Sequence, residues 1–142
     1  MKRAVVGALV MLLFGLLAYA APAQYNAPPF PKTLINAKYV YVTSYDGDQF
    51  DQRLLSEDRE AISAVQDAIQ KWGHYVVVYR PENADIVLMV QSRPSEDLLA
   101  VYDGKLWPEQ TYLWRVMGRG GLQQGETPLV SKLESAVEQA SH

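Results

Sequence analysis

Three aspartates lie close together in the segment YDGDQFD, at Asp46, Asp48 and Asp51. Their carboxylates could coordinate Ca²⁺, and a twelve-residue loop counted from Asp46 would end at Glu57, as in an EF-hand. The fifth position of that loop is Phe50, however, and the sixth is Asp51, where the sharp turn requires glycine. We therefore predict a solvated loop that leads into a helix, and no metal site.

The chain has two histidines, His74 and His142, and no cysteine. Two distant histidines without thiolates do not make a zinc site. His74 directly follows Gly73, where a helix is expected to end, and an imidazolium there would interact favourably with the helix C-terminus. We predict a local role for His74 and no cofactor.

Nucleophilic catalysis by serine requires a base and an orienting acid. The serines at positions 92, 95 and 131 lack the G-x-S-x-G context of a nucleophile elbow. The acidic residues are spread along the chain without a spacing diagnostic of acid/base chemistry. We therefore predict no catalytic residue and no enzyme, with one alternative: a small periplasmic hydrolase or ligand-binding protein that uses His74 with a nearby Ser, Asp or Glu.

Glycines at positions 118, 120, 121 and 125 could suggest a phosphate-binding loop. Such a loop precedes a helix whose N-terminus faces the anion, but here Glu126 would occupy the place of the anion. We predict a flexible turn from a strand to a helix. Arg115 and Arg119 beside it either pair with acids or border a site, and the sequence does not choose between these roles.

The elements that must position these residues are indicated by periodicity. Alternating or β-branched and aromatic residues predict strands at 37–45, 75–79, 84–93, 98–102 and 111–118. The third of these runs is almost continuously apolar, which predicts a central strand.

Two helices are predicted between and after these strands. Ser56 is a suitable N-cap, Ile62, Val65 and Ile69 form an apolar stripe, and Gly73 is placed to end the first helix. Thr127 caps the second helix, with Pro128 at its first position. The order β-α-β-β-β-β-α predicts an α+β (mixed α/β) two-layer sandwich: a five-stranded mixed sheet with both helices on one face, and a parallel first crossover.

Side chains alternate between the two faces of a strand. Tyr39 and Tyr41 therefore share one face of the first strand, and Val40 and Val42 share the other. If the valines pack under the helices, an aromatic face remains open, and such a face is suited to docking because Tyr and Trp are enriched at interfaces. The ordinary alternative is that tyrosine simply suits half-solvated strands. The predicted binding surface comprises Tyr39, Tyr41, Tyr75, Tyr79, Tyr112, Trp114, Arg115 and Arg119.

The start of the chain has the pattern of a secretory signal peptide. Lys2 and Arg3 form a basic beginning, 4–17 is uncharged and apolar, and small residues allow cleavage after Ala20 or Ala23. The rival interpretation is a membrane anchor, for which the run is short. We predict cleavage, so residues 1–23 are the signal peptide and the protein is periplasmic or secreted. The absence of a cysteine excludes amino-terminal lipidation.

Residues 24–36 contain Pro28, Pro29 and Pro31 and predict an extended leader, since proline fixes φ and lacks an N–H. Residues 37–142 are then one α/β domain, which must fold without disulfides. Removing Lys2 and Arg3 changes the formal charge from −3 to −5. An acidic domain without a basic cluster is a poor candidate for binding nucleic acid, and we expect contact with a membrane only through an uncleaved signal.

Several segments resemble known bacterial proteins. KWG at 71–73, YVVVYRPENADIVLMV at 75–90, LLAVYD at 98–103, YLWR at 112–115 and PLVSKLESAVE at 128–138 are together similar to uncharacterised small exported α/β proteins of the acidobacterial type. ADIVL at 84–88 also resembles, more loosely, the amino-terminal domain of TolB. That second resemblance implies binding to other envelope proteins without catalysis; neither resemblance transfers a residue role.

Together these patterns predict an exported envelope protein that is a non-enzymatic protein-binding or assembly module, whose partner is another envelope protein. Besides the hydrolase, a second alternative is a structural subunit that self-associates through the same aromatic face.

Overall fold

The computed structural model describes residues 27–123 and 127–142. The predicted signal peptide, residues 1–23, lies outside these ranges. Within them, no helix is long and apolar enough to cross a membrane.

A mixed five-stranded sheet forms the centre of the fold. Its strands are β1 (Tyr39–Ser44), β2 (Val76–Val78), β3 (Ile86–Ser92), β4 (Asp97–Asp103) and β5 (Trp114–Gly118), and their order is β2-β1-β3-β4-β5. β1 pairs in parallel with both β2 and β3, whereas β4 and β5 continue the sheet as antiparallel hairpins. The predicted element order, the parallel first crossover and the central position of β3 are confirmed, although β5 is three residues shorter at its start than predicted.

Two helices accompany the sheet, α1 (Ser56–Trp72) and α2 (Pro128–Ala140). Gly73 ends α1 with a left-handed φ of 79°, as predicted, because glycine has no Cβ to oppose that conformation. The N-cap predicted at Ser56 is displaced by one residue: Ser56 is the first helical residue, and Leu55 occupies the cap position without a side-chain hydrogen bond. Thr127 is at the cap position of α2, and its side chain likewise makes no capping hydrogen bond.

One large core cluster joins the helices to the sheet. It contains the α1 stripe predicted from the sequence and the buried residues of α2, together with alternate residues of the strands. The register aligns these strand residues in rows, such as Val42 with Leu88 and Leu88 with Val101. We call the sheet face that carries Val42, Leu88 and Val101 the core face, and the opposite one the open face. Burial of this cluster supplies the main driving force for folding.

The leader contributes to the core. Lys32–Leu34 form a 3₁₀ turn, and Phe30 and Leu34 are buried in the core cluster. The Trp114 Nε1 atom donates a 2.7 Å hydrogen bond to the carbonyl oxygen of Pro28. The described part of the predicted extended tether is therefore packed onto the domain, because its two apolar side chains find a place in the core.

A buried ion pair connects the start of α1 to the end of β3. Asp58 is fully buried, and its two carboxylate oxygens accept hydrogen bonds from Arg93 Nη1 at 3.0 and 3.1 Å. The backbone N–H of Ser92 donates to the same carboxylate, and Arg93 Nη2 reaches Asp46 at 2.6 Å. Hydrogen bonding to Asp58 raises the pKa of Arg93 above its usual value. These contacts fix the loop after β1 against the sheet.

A second buried carboxylate, Asp97, holds the turns at the same end of the sheet. It accepts hydrogen bonds from the hydroxyl of Ser92, the N–H of Arg93 and, at 2.9 Å, the N–H of Leu122 in the glycine-rich turn. A buried carboxylate is tolerated when donors surround it in this way. Its role is structural.

Candidate binding surface on the open face

The open face consists of the strand residues that alternate with the core positions. One row across four strands, Thr43, Met89, Ala100 and Arg115, shows the register. The members of the face are Tyr39, Tyr41 and Thr43 of β1, Val76 and Val78 of β2, Val87, Met89 and Gln91 of β3, Leu98, Ala100 and Tyr102 of β4, and Arg115 and Met117 of β5. Arg115 is the one residue among these members with a charged side chain. The face is therefore mainly apolar and aromatic.

A groove of about 450 Å³ lies on the open face. Tyr41 and Met89 are buried at its base, where they belong to a second apolar cluster that also includes Ala100. Tyr102 and Trp107 line the groove, and Trp107 belongs to the connection between β4 and β5. This volume lies within the range of ligand-binding clefts, about 300 to 1,000 Å³.

The aromatic rings around the groove meet at steep angles. Tyr41 and Trp107 contact edge to face, with ring centroids 6.3 Å apart and an interplanar angle of 62°. Tyr102 makes a similar contact with Tyr112 at 6.4 Å and 77°. The Arg115 guanidinium lies over the Tyr112 ring, 4.6 Å from its centroid, in a cation–π contact. The rings therefore pack against one another edge to face instead of presenting one flat platform.

The tyrosine hydroxyls of the groove are hydrogen-bonded. Tyr45 and Tyr102 share a hydrogen bond between their hydroxyl oxygens at 3.1 Å. Burial, followed by that bond, raises the pKa of Tyr45 well above its usual value, and burial also raises the pKa of Tyr41. A raised tyrosine pKa disfavours the phenolate, so the hydroxyls of Tyr41 and Tyr45 stay protonated at neutral pH.

Half of the predicted binding surface lies on or beside the open face. Tyr39 and Tyr41 share it as predicted, and Arg115 projects from it. Tyr112, which precedes β5, packs beside Arg115 and is 37% exposed. Tyr41 is nevertheless buried, because Trp107 covers it.

The placements of Tyr75 and Trp114 as surface residues are wrong. The register pairs Tyr39 with Val76, so Tyr75 belongs with Val77 on the core side and is buried. Trp114 pairs with Val101 on the core face and is only 1% exposed.

Two further members of the predicted surface lie elsewhere. Tyr79 follows β2 and Arg119 lies in the turn after β5; both are exposed, and neither is among the open-face positions.

Tyr102 and Trp107 were missed by the sequence prediction. Tyr102 had a usable signal, since it alternates with Leu98 and Ala100 along β4. No sequence pattern indicates the position of Trp107, because this residue lies in the connection between β4 and β5 and its position depends on how that connection folds.

The three aspartates considered as calcium ligands, Asp46, Asp48 and Asp51, contact groups of the protein itself. Asp46 pairs with Arg93, Asp48 accepts a hydrogen bond from the N–H of Phe50, and Asp51 accepts one from the N–H of Arg53. Among residues 27–123 and 127–142, no group of three or more acidic, histidine or cysteine side chains is placed to hold a metal ion.

His74 contacts aromatic rings. It stacks on Trp72 with centroids 4.8 Å apart and meets Tyr75 edge to face at 4.7 Å. The hydrolase alternative requires His74 to approach a serine or a carboxylate in a cleft. His74 is instead exposed at the end of α1, so the geometry gives that alternative no support.

A second groove, of about 510 Å³, lies between α1 and α2. Its lining mixes small and apolar side chains with charges of both signs, including Lys71, Trp72 and Glu134. Burial and then the neighbouring Glu138 raise the pKa of Glu134. No pair of reactive groups converges there in the part of the chain that the structure describes.

No family model matches the chain, and no curated protein matches it either. Among solved structures it is similar to a dodecamer of a PelC variant from Paraburkholderia phytofirmans, with a TM-score of 0.45 and 17% identity, over 81% of this chain and 96% of that one. Similarity of this degree supports no statement about family or function.

Proposed function

We propose that this protein is a non-enzymatic binding module of the bacterial envelope, which binds another exported protein through its open face. The observation that carries the proposal is the aromatic groove, which Tyr41, Tyr102 and Trp107 line on a sheet face with one formal charge. Aromatic side chains supply large contact area with a polar tip, and they are enriched among the residues that dominate binding energy.

The chemistry of the groove favours binding over catalysis. The raised pKa values of Tyr41 and Tyr45 keep both hydroxyls neutral. A general base needs a pKa near the working pH, which these hydroxyls lack. Their hydrogen-bonding capacity is better suited to orienting a partner than to proton transfer.

The expected location follows from the signal-peptide pattern of residues 1–23 and remains part of the proposal. The resemblance of ADIVL at 84–88 to the amino-terminal domain of TolB agrees with it, since that domain binds envelope proteins without catalysis. The partner we propose is accordingly an exported protein.

Site-specific photocrosslinking tests this function. The full chain is expressed in an exporting bacterium with a photoreactive phenylalanine analogue at Tyr112, on the rim of the open face, or at Tyr79, an exposed tyrosine elsewhere. We expect a discrete protein adduct from position 112 that is absent from position 79. We also expect Tyr45→Ser to reduce the adduct while the protein remains folded.

Two outcomes of the crosslinking experiment would contradict the proposed function. No adduct at position 112, or the same adducts at both positions, would overturn the proposal, because a specific docking face must crosslink differently from a neutral surface position.

A further inference from the structure

The groove on the open face combines aromatic rings with a single acidic side chain. Tyr45, Tyr102 and Trp107 are at least partly exposed along it, whereas Tyr41 is buried at its base. Among the described residues that line the groove, Asp48 is the one with a charged side chain. Such a lining is suited to a cation, because the faces of aromatic rings carry negative partial charge.

The carboxylate of Asp48 has hydrogen-bond donors but forms no ion pair within the described part of the chain. Its Oδ1 atom accepts a 2.9 Å hydrogen bond from the N–H of Phe50, and its Oδ2 atom accepts one from the hydroxyl of Tyr41 at 3.4 Å. The other two aspartates of this loop each pair with an arginine. Asp48 therefore brings to the groove a negative charge that a bound cation would compensate.

Tyr41 places Asp48 and Trp107 at the same end of the groove. Its hydroxyl donates to Asp48, and its ring meets the Trp107 ring edge to face. Burial raises the pKa of Tyr41, and the negative charge of Asp48 raises it further. A cation at this end would combine a charge-assisted hydrogen bond to a carboxylate with a cation–π contact.

Arg115 identifies the end of the face where a further cation is not expected. Its guanidinium already lies over the Tyr112 ring, 4.6 Å from the centroid, and it is not among the lining residues of the groove. It belongs to β5, which β3 and β4 separate from β1. The contact shows that this face accommodates a cation on an aromatic ring, and repulsion by Arg115 favours the end near Asp48 for a second one.

Resting on the proposed function, we propose that the groove binds a basic side chain of the exported partner, with its ammonium or guanidinium group between Asp48 and Trp107. The aliphatic stem of that side chain lies along the apolar lining at Met89 and Tyr102. The hydrogen bond between Tyr45 and Tyr102 is retained, because the contact uses aromatic surface and one carboxylate and needs no free hydroxyl.

An NMR titration tests the inference. The protein, expressed as the full chain with ¹⁵N label and purified, is titrated with a blocked five-residue peptide that has lysine at its centre and alanine elsewhere. The matched control has norleucine, which lacks the ammonium group, in place of lysine. A second pair compares arginine with the uncharged citrulline. We expect saturable shifts at the amides around Asp48, Met89 and Trp107 with the basic peptides, weakening as salt is added, and none with the controls.

Variants locate the binding site. Asp48→Asn retains a side-chain oxygen for the N–H of Phe50 but removes the charge, and we expect it to weaken binding at least about threefold. Asp67→Asn is the matched control, because it removes the same charge from α1, outside the groove; it should bind like the wild type. Trp107→Leu should also weaken binding at least about threefold, and its amide spectrum checks the fold because Trp107 covers Tyr41.

Several outcomes overturn the inference. These are an absence of shifts with both basic peptides, equal shifts with the basic and the uncharged peptides, and equal weakening by Asp48→Asn and Asp67→Asn, which would mean that only the net charge of the protein matters. Saturable shifts from tetramethylammonium, without a response to the basic peptides, would assign the groove to a small organic cation instead.

The two proposals fail separately. A protein adduct at position 112 without binding of the basic peptides would leave the envelope-binding function and remove the basic side chain as its ligand. Binding of the basic peptides without any adduct would retain the chemistry of the groove and remove the envelope partner.

Discussion

Among single residues, the buried negative charge of Asp58 is compensated by the positive charge of Arg93. The carboxylate is fully buried at the start of α1, and the Arg93 guanidinium is its cationic partner, with about a third of that side chain exposed. We expect Arg93→Met to lower the free energy of unfolding by about 3 kcal/mol, because it leaves a buried charge without its ion partner. Urea unfolding followed by circular dichroism measures this difference.

Arg53→Met is the matched control, because Arg53 pairs with Asp51 at 3.5 Å on the open surface. Exposed pairs of this kind contribute little, so its unfolding midpoint should stay close to that of the wild type. A double variant that also carries Asp58→Asn should recover part of the loss, since it removes the stranded charge. If the single variant Arg93→Met unfolds like the wild type, the ion pair does not stabilise the fold.

Tyr75, unlike Asp58, has a buried polar group without a partner: its hydroxyl makes no hydrogen bond among the described residues. Burial raises its pKa to about 12. Ionisation of Tyr75 therefore leaves the folding stability unchanged below pH 10, where the tyrosine is protonated in both states. The stability falls as the pH rises from 10 towards 12, because only the unfolded chain ionises there.

Tyr75→Phe removes the unsatisfied hydroxyl and, with it, the ionisation of this side chain. We expect it to stabilise the protein by up to about 1 kcal/mol at pH 7, because no unsatisfied hydroxyl remains. The advantage over the wild type should grow between pH 10 and pH 12. Urea unfolding of both proteins at pH 7, 10 and 11.5 tests this, and a constant difference across the series would mean that the Tyr75 hydroxyl is solvated in the folded protein.

At the scale of the elements, the leader functions as part of the core. Phe30 is 3% exposed within the core cluster, ahead of β1. We expect Phe30→Ala to destabilise the protein by about 3 kcal/mol, which is at the lower end of the range for such substitutions. Phe50→Ala is the matched control, since Phe50 is 66% exposed and its removal should change stability by less than about 0.5 kcal/mol.

Tryptophan fluorescence during urea unfolding reports both changes, because Trp114 is hydrogen-bonded to the leader through Pro28. We expect the emission of the folded Phe30→Ala protein to move to longer wavelength as Trp114 becomes accessible to water. Equal stability of the two variants would mean that the leader does not contribute to the core.

The helices and the strand order illustrate what local sequence patterns determine. The spacing of Ile62, Val65 and Ile69 and the position of Gly73 define α1 closely, because a helix is organised by contacts three and four residues apart. The apolar run of β3 likewise predicts its central place, since its first five residues are buried whichever face they lie on.

The leader and the face assignment of β2 depend on distant contacts. Tyr75 packs into the core because β1 pairs with Val76–Val78 in one particular register, and a shift by one residue would reverse its side. Phe30 finds its place beside residues far along the chain. For the same reason the groove could be predicted only in part. Alternation along β1 places Tyr41 on the open face, whereas the contact of Trp107 with Tyr41 depends on how the loop after β4 folds.

At the scale of the whole molecule, the open question is whether the open face joins two copies of the chain, as the structural-subunit alternative requires. The centre of that face is already buried within the chain, since Val87 and Ala100 are 0% exposed and Met89 is 6% exposed, so a second copy would cover little further apolar area there. We therefore expect the protein to be a monomer, and multi-angle light scattering over a hundredfold range of concentration should give one mass. A mass that rises with concentration, and that returns to the monomer value in Met117→Lys but not in Tyr79→Lys, would establish self-association through the open face and would make the groove an interface between copies.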